Sequence, residues 1–182
     1  MPPPLASSRL ILRELAIEDW PAVHDYASRA EVCRYQPWGP NTPDESRAFV
    51  EAAVTSSVAS PRARYALALT LATTGRLIGV GELNVRSVSF RTGEIGYIVH
   101  PDLWGQGYAT EAAAALLRFG FDELGLHRIY ATCDPRNVAS GRVLQKCGMA
   151  HEGRRRHDML LCDGWRDSDL YAILEGEWRA RR

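Results

Sequence analysis

Two kinds of residue have the type and spacing for chemistry here: a pair of glycines at a strand-to-helix junction, and a few carboxyl and hydroxyl groups set in apolar runs. The glycines lie in Trp104-Gly105-Gln106-Gly107-Tyr108-Ala109-Thr110-Glu111, after the apolar run Ile95 to Val99 and before an alanine-rich segment. The first N–H groups of a helix lack intrahelical partners and carry partial positive charge, so this junction is predicted to cradle an anion. Glycine lets a phosphate approach the main chain without a Cβ in the way. No P-loop lysine follows, and the Gly-x-Gly-x-x-Gly spacing of a dinucleotide fold is absent. Glu82 stands inside an otherwise apolar run, and Glu94 opens the run before the glycines. A carboxylate turned into a half-buried cleft can act as a general base; the alternative is a solvent-facing or arginine-paired glutamate, with Arg76, Arg86 and Arg91 nearby in sequence. Tyr35 and Trp38 sit in a segment with prolines at 37, 40 and 43 and a glycine at 39, so they lie on a loop. They line a substrate pocket or cover the edge of the core.

The elements that must hold these residues follow from periodicity and punctuation. Arg9 to Arg13 reads as a first strand, Ile17 to about Arg29 as a helix with proline just inside its start, and Thr42 to about Val58 as a second helix, capped by Thr42 with Pro43 at its first position. Tyr65–Leu71 and Leu77–Val85 form a hairpin across Thr73-Thr74-Gly75-Arg76, and a strand from about Arg91 to Val99 completes an antiparallel meander. The helix after the glycines presents Ala112, Ala113, Leu116, Leu117 and Phe119 to a sheet. Leu126–Thr132 is then a parallel neighbour of the strand before the glycines, reached by a crossover. A helix beginning at Asp134-Pro135-Arg136-Asn137 stops at Gly148, two strands run over about 150–161 and 168–174, and residues from about 177 form a basic tail. The prediction is a single α+β domain over residues 1–182, with a mixed, mostly antiparallel seven-stranded sheet and about four helices.

Bulk properties narrow the class. A chain of 182 residues can bury about 70% of its unfolded surface in one core. Lys plus Arg and Asp plus Glu are both 22, so no global field draws the protein to nucleic acid or an acidic membrane. The cysteines at 33, 133, 147 and 162 fit neither a metal pattern nor a disulfide framework, and His127 and His151 have no ligand spacing, so no metal is predicted. No run approaches the roughly 18 apolar residues of a membrane span, and the start, Met1-Pro2-Pro3-Pro4, is unlike a signal segment; a soluble cytoplasmic protein is expected.

The order of elements and the phrase Pro101-x-x-Trp-Gly-x-Gly-Tyr-Ala-Thr-Glu-Ala, followed by Asn137-x-x-Ser140, resemble the GNAT acetyltransferase superfamily over essentially the whole chain, in particular its RimJ/RimL-like branch. The superfamily motif is Gln/Arg-x-x-Gly-x-Gly/Ala; Trp104 stands at the Gln/Arg position, a replacement common in that branch. The resemblance implies a sheet splayed between strands 4 and 5, with the pantetheine arm of acetyl-CoA in the gap beside the main chain of Ile98, Val99 and His100. It implies a pyrophosphate site on the N–H groups of Gly105, Gln106, Gly107, Tyr108 and Ala109, within the turn that also holds Trp104 and Thr110. Asn137 and Ser140 occupy positions that in similar proteins contact pantetheine and approach the sulfur. Asn137 also has the placement of an ordinary helix N-cap.

Acetyl transfer from a thioester needs a neutral amine, a stabilised oxyanion and a departing thiolate. An α-amino group of pKa about 7.7 to 8.0 is neutral roughly one time in ten at neutrality, whereas a lysine-like amine of pKa about 10.4 rarely is, so a peptide N-terminus demands less base catalysis. The Val99 N–H is the natural oxyanion donor, and Ser140 a candidate proton donor to the thiolate. Glu94, where histone-type relatives carry their glutamate, is the first candidate base and Glu82 the second. Some relatives use a carboxylate after the Asn-x-x-Ser helix; Met159 stands there, with Asp158 beside it. Tyr171 is expected to pack with its hydroxyl bonded, Arg154-Arg155-Arg156-His157 to be a solvated strand edge or an anion attractor, and His100 to be a loop residue or a proton relay. The expected reaction is acetyl transfer to a protein or peptide α-amino group. A small amine (amino acid, polyamine or antibiotic) as acceptor, and an acyl-CoA sensor without turnover, are the alternatives. The flat final strands are compatible with a homodimer.

Overall fold

The computed structural model describes residues 5–161 and 163–181; Cys162 and part of the amino-terminal segment lie outside them. The described residues form one eight-stranded sheet in the order β1-β2-β3-β4-β5-β6-β8-β7. The strands are β1 (Leu5–Ala6), β2 (Leu10–Glu14), β3 (Arg64–Leu71), β4 (Leu77–Ser87), β5 (Thr92–Val99), β6 (Arg128–Cys133), β7 (Ala150–Leu161) and β8 (Gly164–Leu174). All neighbours are antiparallel except β5 and β6. Six helices accompany them: α1 (Trp20–Ala27), α2 (Ala30–Cys33), α3 (Pro43–Ser57), α4 (Tyr108–Arg118), α5 (Val138–Lys146) and α6 (Glu175–Arg179).

The α+β class and the antiparallel character match expectation, but the strand number is eight, not seven. The additional strand is β1, whose two residues pair with Leu12 and Ile11 and are too few to carry a periodic signal. Of the tail expected from about residue 177, residues 177–179 belong to α6, where Trp178 stacks on Phe121 with ring centroids 5.8 Å apart. The first predicted helix is divided: Ile17–Asp19 is a 3-10 turn ahead of α1, with Asp19 held by the Arg13 guanidinium at 2.7 and 2.8 Å. Thr42 caps α3 as expected, in a reciprocal box with Glu45.

Side chains of the sheet divide between two cores. On one face α4 lays Ala112, Ala113, Leu116 and Leu117 over Leu83, Ile95 and Val99; the small residues of α4 let it sit close to the strands. On the other face α1 and α3 pack Val23, Tyr26, Val50 and Ala53 over Ala66, Ala68 and Val80. Along β5, alternation sends Ile95, Tyr97 and Val99 to the α4 face, and Glu94, Gly96 and Ile98 to the α1/α3 face.

Candidate functional site

Pairing between β5 and β6 comprises Thr92↔Arg128, Gly93↔Ile129 and Glu94↔Tyr130, with no pair beyond. Residues past that point, Ile95 to Ile98 and Ala131 to Cys133, line a cavity of about 840 Å³. Its walls come from both faces of the sheet: Tyr97, Asn137, Ser140 and Leu144 on one, Tyr26, Trp38, Phe49 and Glu82 on the other. The cavity is thus lined from both faces of the sheet.

The main chain at the end of β5 is divided by the β4 ladder. His100 N–H donates to Ile78 C=O at 2.7 Å, which makes the even-numbered residues of β5 the hydrogen-bonded partners of β4. Tyr97 and Val99 then turn their main-chain groups toward the β6 side. Of the three residues singled out for main-chain contact, Val99 has the required direction, whereas Ile98 and His100 face β4. Val99 C=O already accepts from the Trp104 indole N–H at 2.7 Å, so its N–H is the group left on that edge. His100 lies in the connection after β5, as expected of a residue before proline, and is buried there. It is 2% exposed, Nε2–H donates to Asp25 at 3.0 Å, and Nδ1 accepts from the Asp102 N–H, an arrangement that assigns the proton to Nε2.

The turn Trp104 to Gly107 leads into α4 with Gly107 at the N-cap. Gly105 and Gly107 have φ of +76° and +86°, a region that disfavours other residues, and a Cβ at Gly105 would meet nothing within 4 Å. The glycine turn into a helix start read from the sequence is thus formed, although it lies outside the lining of the main cavity. A cation joins it that sequence reasoning missed. Arg9 lies over the Tyr108 ring at 4.3 Å, donates to Gln106 C=O at 3.1 Å and comes within 3.4 Å of where a Gly107 Cβ would stand. Arg9 is held there by Glu111, which accepts from Arg9 N–H and Nε–H and from the Ser7 and Ser8 hydroxyls at 2.7 to 2.9 Å. These bonds hold the Glu111 carboxyl down at about 2 against the opposing effect of its partial burial. A contact over a hundred residues apart leaves no local signal in sequence.

At the start of α5, Asn137 Oδ1 accepts from Ser140 N–H at 3.1 Å, so the capping role is realised. Ser140 Oγ lies 3.1 Å from the Tyr97 hydroxyl, and both line the cavity. Burial pushes the Tyr97 hydroxyl well above its ordinary range, and burial likewise raises the neighbouring Cys133 thiol to about 11. Tyr97 is a second hydroxyl missed in the sequence, where it read only as an apolar strand residue.

Both candidate bases line the cavity on the α1/α3 face, and each is arginine-paired. Glu94 accepts from Arg86 Nε–H at 2.7 Å and from the Tyr130 hydroxyl at 3.4 Å; Glu82 accepts from Arg64 at 2.6 Å. Of the arginines flagged from sequence, Arg86 makes the pair; Arg91 bonds Glu175 instead. Met159 lines the cavity, while Asp158 does not and lies 3.9 Å from Arg155. Trp38 and Tyr35 lie on a loop that both edges the core and borders the cavity. Trp38 packs on the α1/α3 core and Tyr35 lies between the guanidinium groups of Arg34 and Arg136, yet both line the cavity.

Elsewhere, Arg154 to His157 lie on the edge strand β7, with Arg154 bonded to Asp169 at 2.7 Å. Tyr171 is buried as expected, but no hydrogen bond of its hydroxyl is found among the described residues. Among those residues no group of three or more His, Cys, Asp or Glu side chains is placed to hold a metal ion, and no helix is long and apolar enough to cross a membrane.

Residues 9–150 match the model of an acetyltransferase (GNAT) domain. The chain is 37% identical over 174 residues to the uncharacterized N-acetyltransferase YnaD of Bacillus subtilis, covering 96% of this chain and 98% of that one. It is 36% identical over 108 residues to the [ribosomal protein uS5]-alanine N-acetyltransferase of Escherichia coli, covering 58% and 55%. The crystal structure of a GNAT-family acetyltransferase from Bacillus anthracis superposes with a TM-score of 0.83 at 35% identity, covering 94% and 98%.

Proposed function

This chain belongs to the GNAT acetyltransferase family and is an acyltransferase, and from that premise we propose that it transfers acetyl from acetyl-CoA to the α-amino group of a protein or peptide. When bound, acetyl-CoA supplies a thioester carbon open to attack by an amine. The chain's own groups fit that ligand in kind: an open glycine cradle with Arg9 beside it for the pyrophosphate, and an unpaired strand edge ending at the Val99 N–H for the pantetheine arm and the acyl oxygen. In this reading β5 and β6 part after Glu94↔Tyr130 to admit the arm, and Trp104, Tyr108, Ala109 and Thr110 order the turn around the phosphates.

The observation that carries the acceptor class is that Glu82 and Glu94 each already serve an arginine. Each carboxylate thus has a guanidinium at one of its oxygens rather than standing free for an incoming amine. The acceptor must then supply much of its own neutral amine, which an α-amino group does and a lysine-like or polyamine nitrogen does not. The E. coli relative, a [ribosomal protein uS5]-alanine N-acetyltransferase, supports the same class. In the transfer a C–N bond forms and the C–S bond breaks. The amine gives up its proton to water or a carboxylate, and the Ser140–Tyr97 hydroxyl pair stands where a departing thiolate can be stabilised.

Thiol release measured over N-terminal peptides, free amino acids, spermidine and aminoglycosides tests the proposal. The expected result is turnover of peptides well above the other amines. Preferential turnover of spermidine or an aminoglycoside would reject the acceptor class while leaving the donor in place.

A further inference from the structure

Resting on that reading, we propose that Gly96, Tyr26 and Glu82 form the acceptor subsite, and that the missing side chain at 96 sets the size of the group that can present its amine. Gly96 is exposed in the middle of β5, flanked by buried Ile95 and half-buried Tyr97, in the interior of an eight-stranded sheet. The usual reasons for a glycine do not apply to it. Its φ is not positive, and a Cβ built there meets nothing within 4 Å. Gly79 and Gly93 contrast with it: a Cβ would stand 2.1 Å from Ile98 C=O at the first and 2.6 Å from Leu126 at the second. A strand glycine with open space above it marks a place where a ligand comes close to the backbone.

That space is bounded by two groups with unused hydrogen-bonding capacity. Glu82 is the register partner of Gly96 on β4; Oε1 takes the Arg64 bond, and Oε2 has no partner among the described residues. Tyr26, from α1, is 3% exposed and lines the same cavity, and among the described residues its hydroxyl makes no hydrogen bond. Burial, with the Glu82 charge nearby, keeps that hydroxyl protonated. Facing the cavity without a protein partner, this hydroxyl is available to a ligand group. An acceptor nitrogen placed over Gly96 has N–H bonds for both Glu82 Oε2 and Tyr26 Oη, while Trp38 and Phe49 give an apolar wall to what the amine carries.

The open space over Gly96 has room for a small side chain on the acceptor, and Glu82 Oε2 gives its amine one carboxylate oxygen. The subsite therefore takes an amine that carries a small side chain.

The test uses the full chain and the variants Gly96→Ala, Gly96→Leu and Tyr26→Phe. It combines acetyl-CoA binding by calorimetry with thiol release from peptides whose first residue is Gly, Ala, Val or Phe, and from spermidine. Acetyl-CoA affinity is expected to stay within about two-fold in all three variants. Gly96→Leu should raise the acceptor KM by about ten-fold or more, Gly96→Ala should shift preference toward Gly and Ala peptides, and Tyr26→Phe should raise the acceptor KM about five-fold. Unchanged acceptor KM and preference in Gly96→Ala and Tyr26→Phe, with the parent active, overturns this subsite alone. So does loss of acetyl-CoA binding in a folded Gly96→Leu protein. A parent that binds acetyl-CoA but releases no thiol with any amine overturns the parent reading as well.

Discussion

Replacing Glu111 by Gln is expected to weaken the protein in a way that depends on pH. In the folded chain the carboxylate receives hydrogen bonds from Ser7, Ser8 and Arg9, which lower its pKa from an ordinary 4.5 to about 2 even though partial burial acts the other way. At about 1.4 kcal/mol per decade the ceiling on that preference is ~3.4 kcal/mol. Arg9 is half exposed and the cluster sits at the rim, so screening leaves about 2 kcal/mol. Because the folded pKa is the lower one, the contribution is complete above about pH 4.5 and disappears as the pH falls through about 2; more than half is gone by about pH 3. Urea unfolding of parent and Glu111→Gln at about pH 7 and about pH 3 reads this directly. The gap should be about 2 kcal/mol at the higher pH and less than half of that at the lower. A gap that is equal at both, or absent at both, would refute the assignment of the stabilisation to the charged carboxylate.

Two further outcomes follow from the cradle and from the paired carboxylates. Gly107→Glu places a side chain and a negative charge at φ +86° beside Arg9, and acetyl-CoA affinity by calorimetry should fall about 100-fold; parent-like affinity would mean that the phosphates lie elsewhere. Glu94→Gln should change kcat by no more than about three-fold and leave the pH–rate profile rising through the acceptor's own amine pKa, because Arg86 already engages that carboxylate. A drop of about 100-fold with loss of the alkaline limb would make Glu94 the base.

Much of this architecture was legible because local rules and global fold agree. The Thr42–Glu45 box, the glycine turn into α4 and the strand–helix–strand crossover all have signatures within a few residues of one another. Even the Trp at position 104 was visible as a departure, although its bond to Val99 C=O was not. What escaped depended on contacts distant in sequence or on direction within a ladder. Arg9 lies 97 residues from the Gln106 carbonyl it bonds, and β1 is too short for any period to register. The Asp25 contact of His100 was not legible, because the facing carboxylate lies on α1, 75 residues away. The choice between Val99 and its neighbours rests on which residues pair with β4, and no residue type records that.

In the proposed reading, the indole bond from Trp104 to Val99 ties the phosphate end of the site to its acyl end. Order at one end is therefore order at the other, and the two behave as a single cooperative unit. A fragment carrying only the diphosphate stiffens the strand terminus before any pantetheine arrives, so a second fragment meets an edge already fixed and binds more tightly than it does alone. Removal of the indole N–H severs that linkage, leaving two half-sites that respond to their ligands independently.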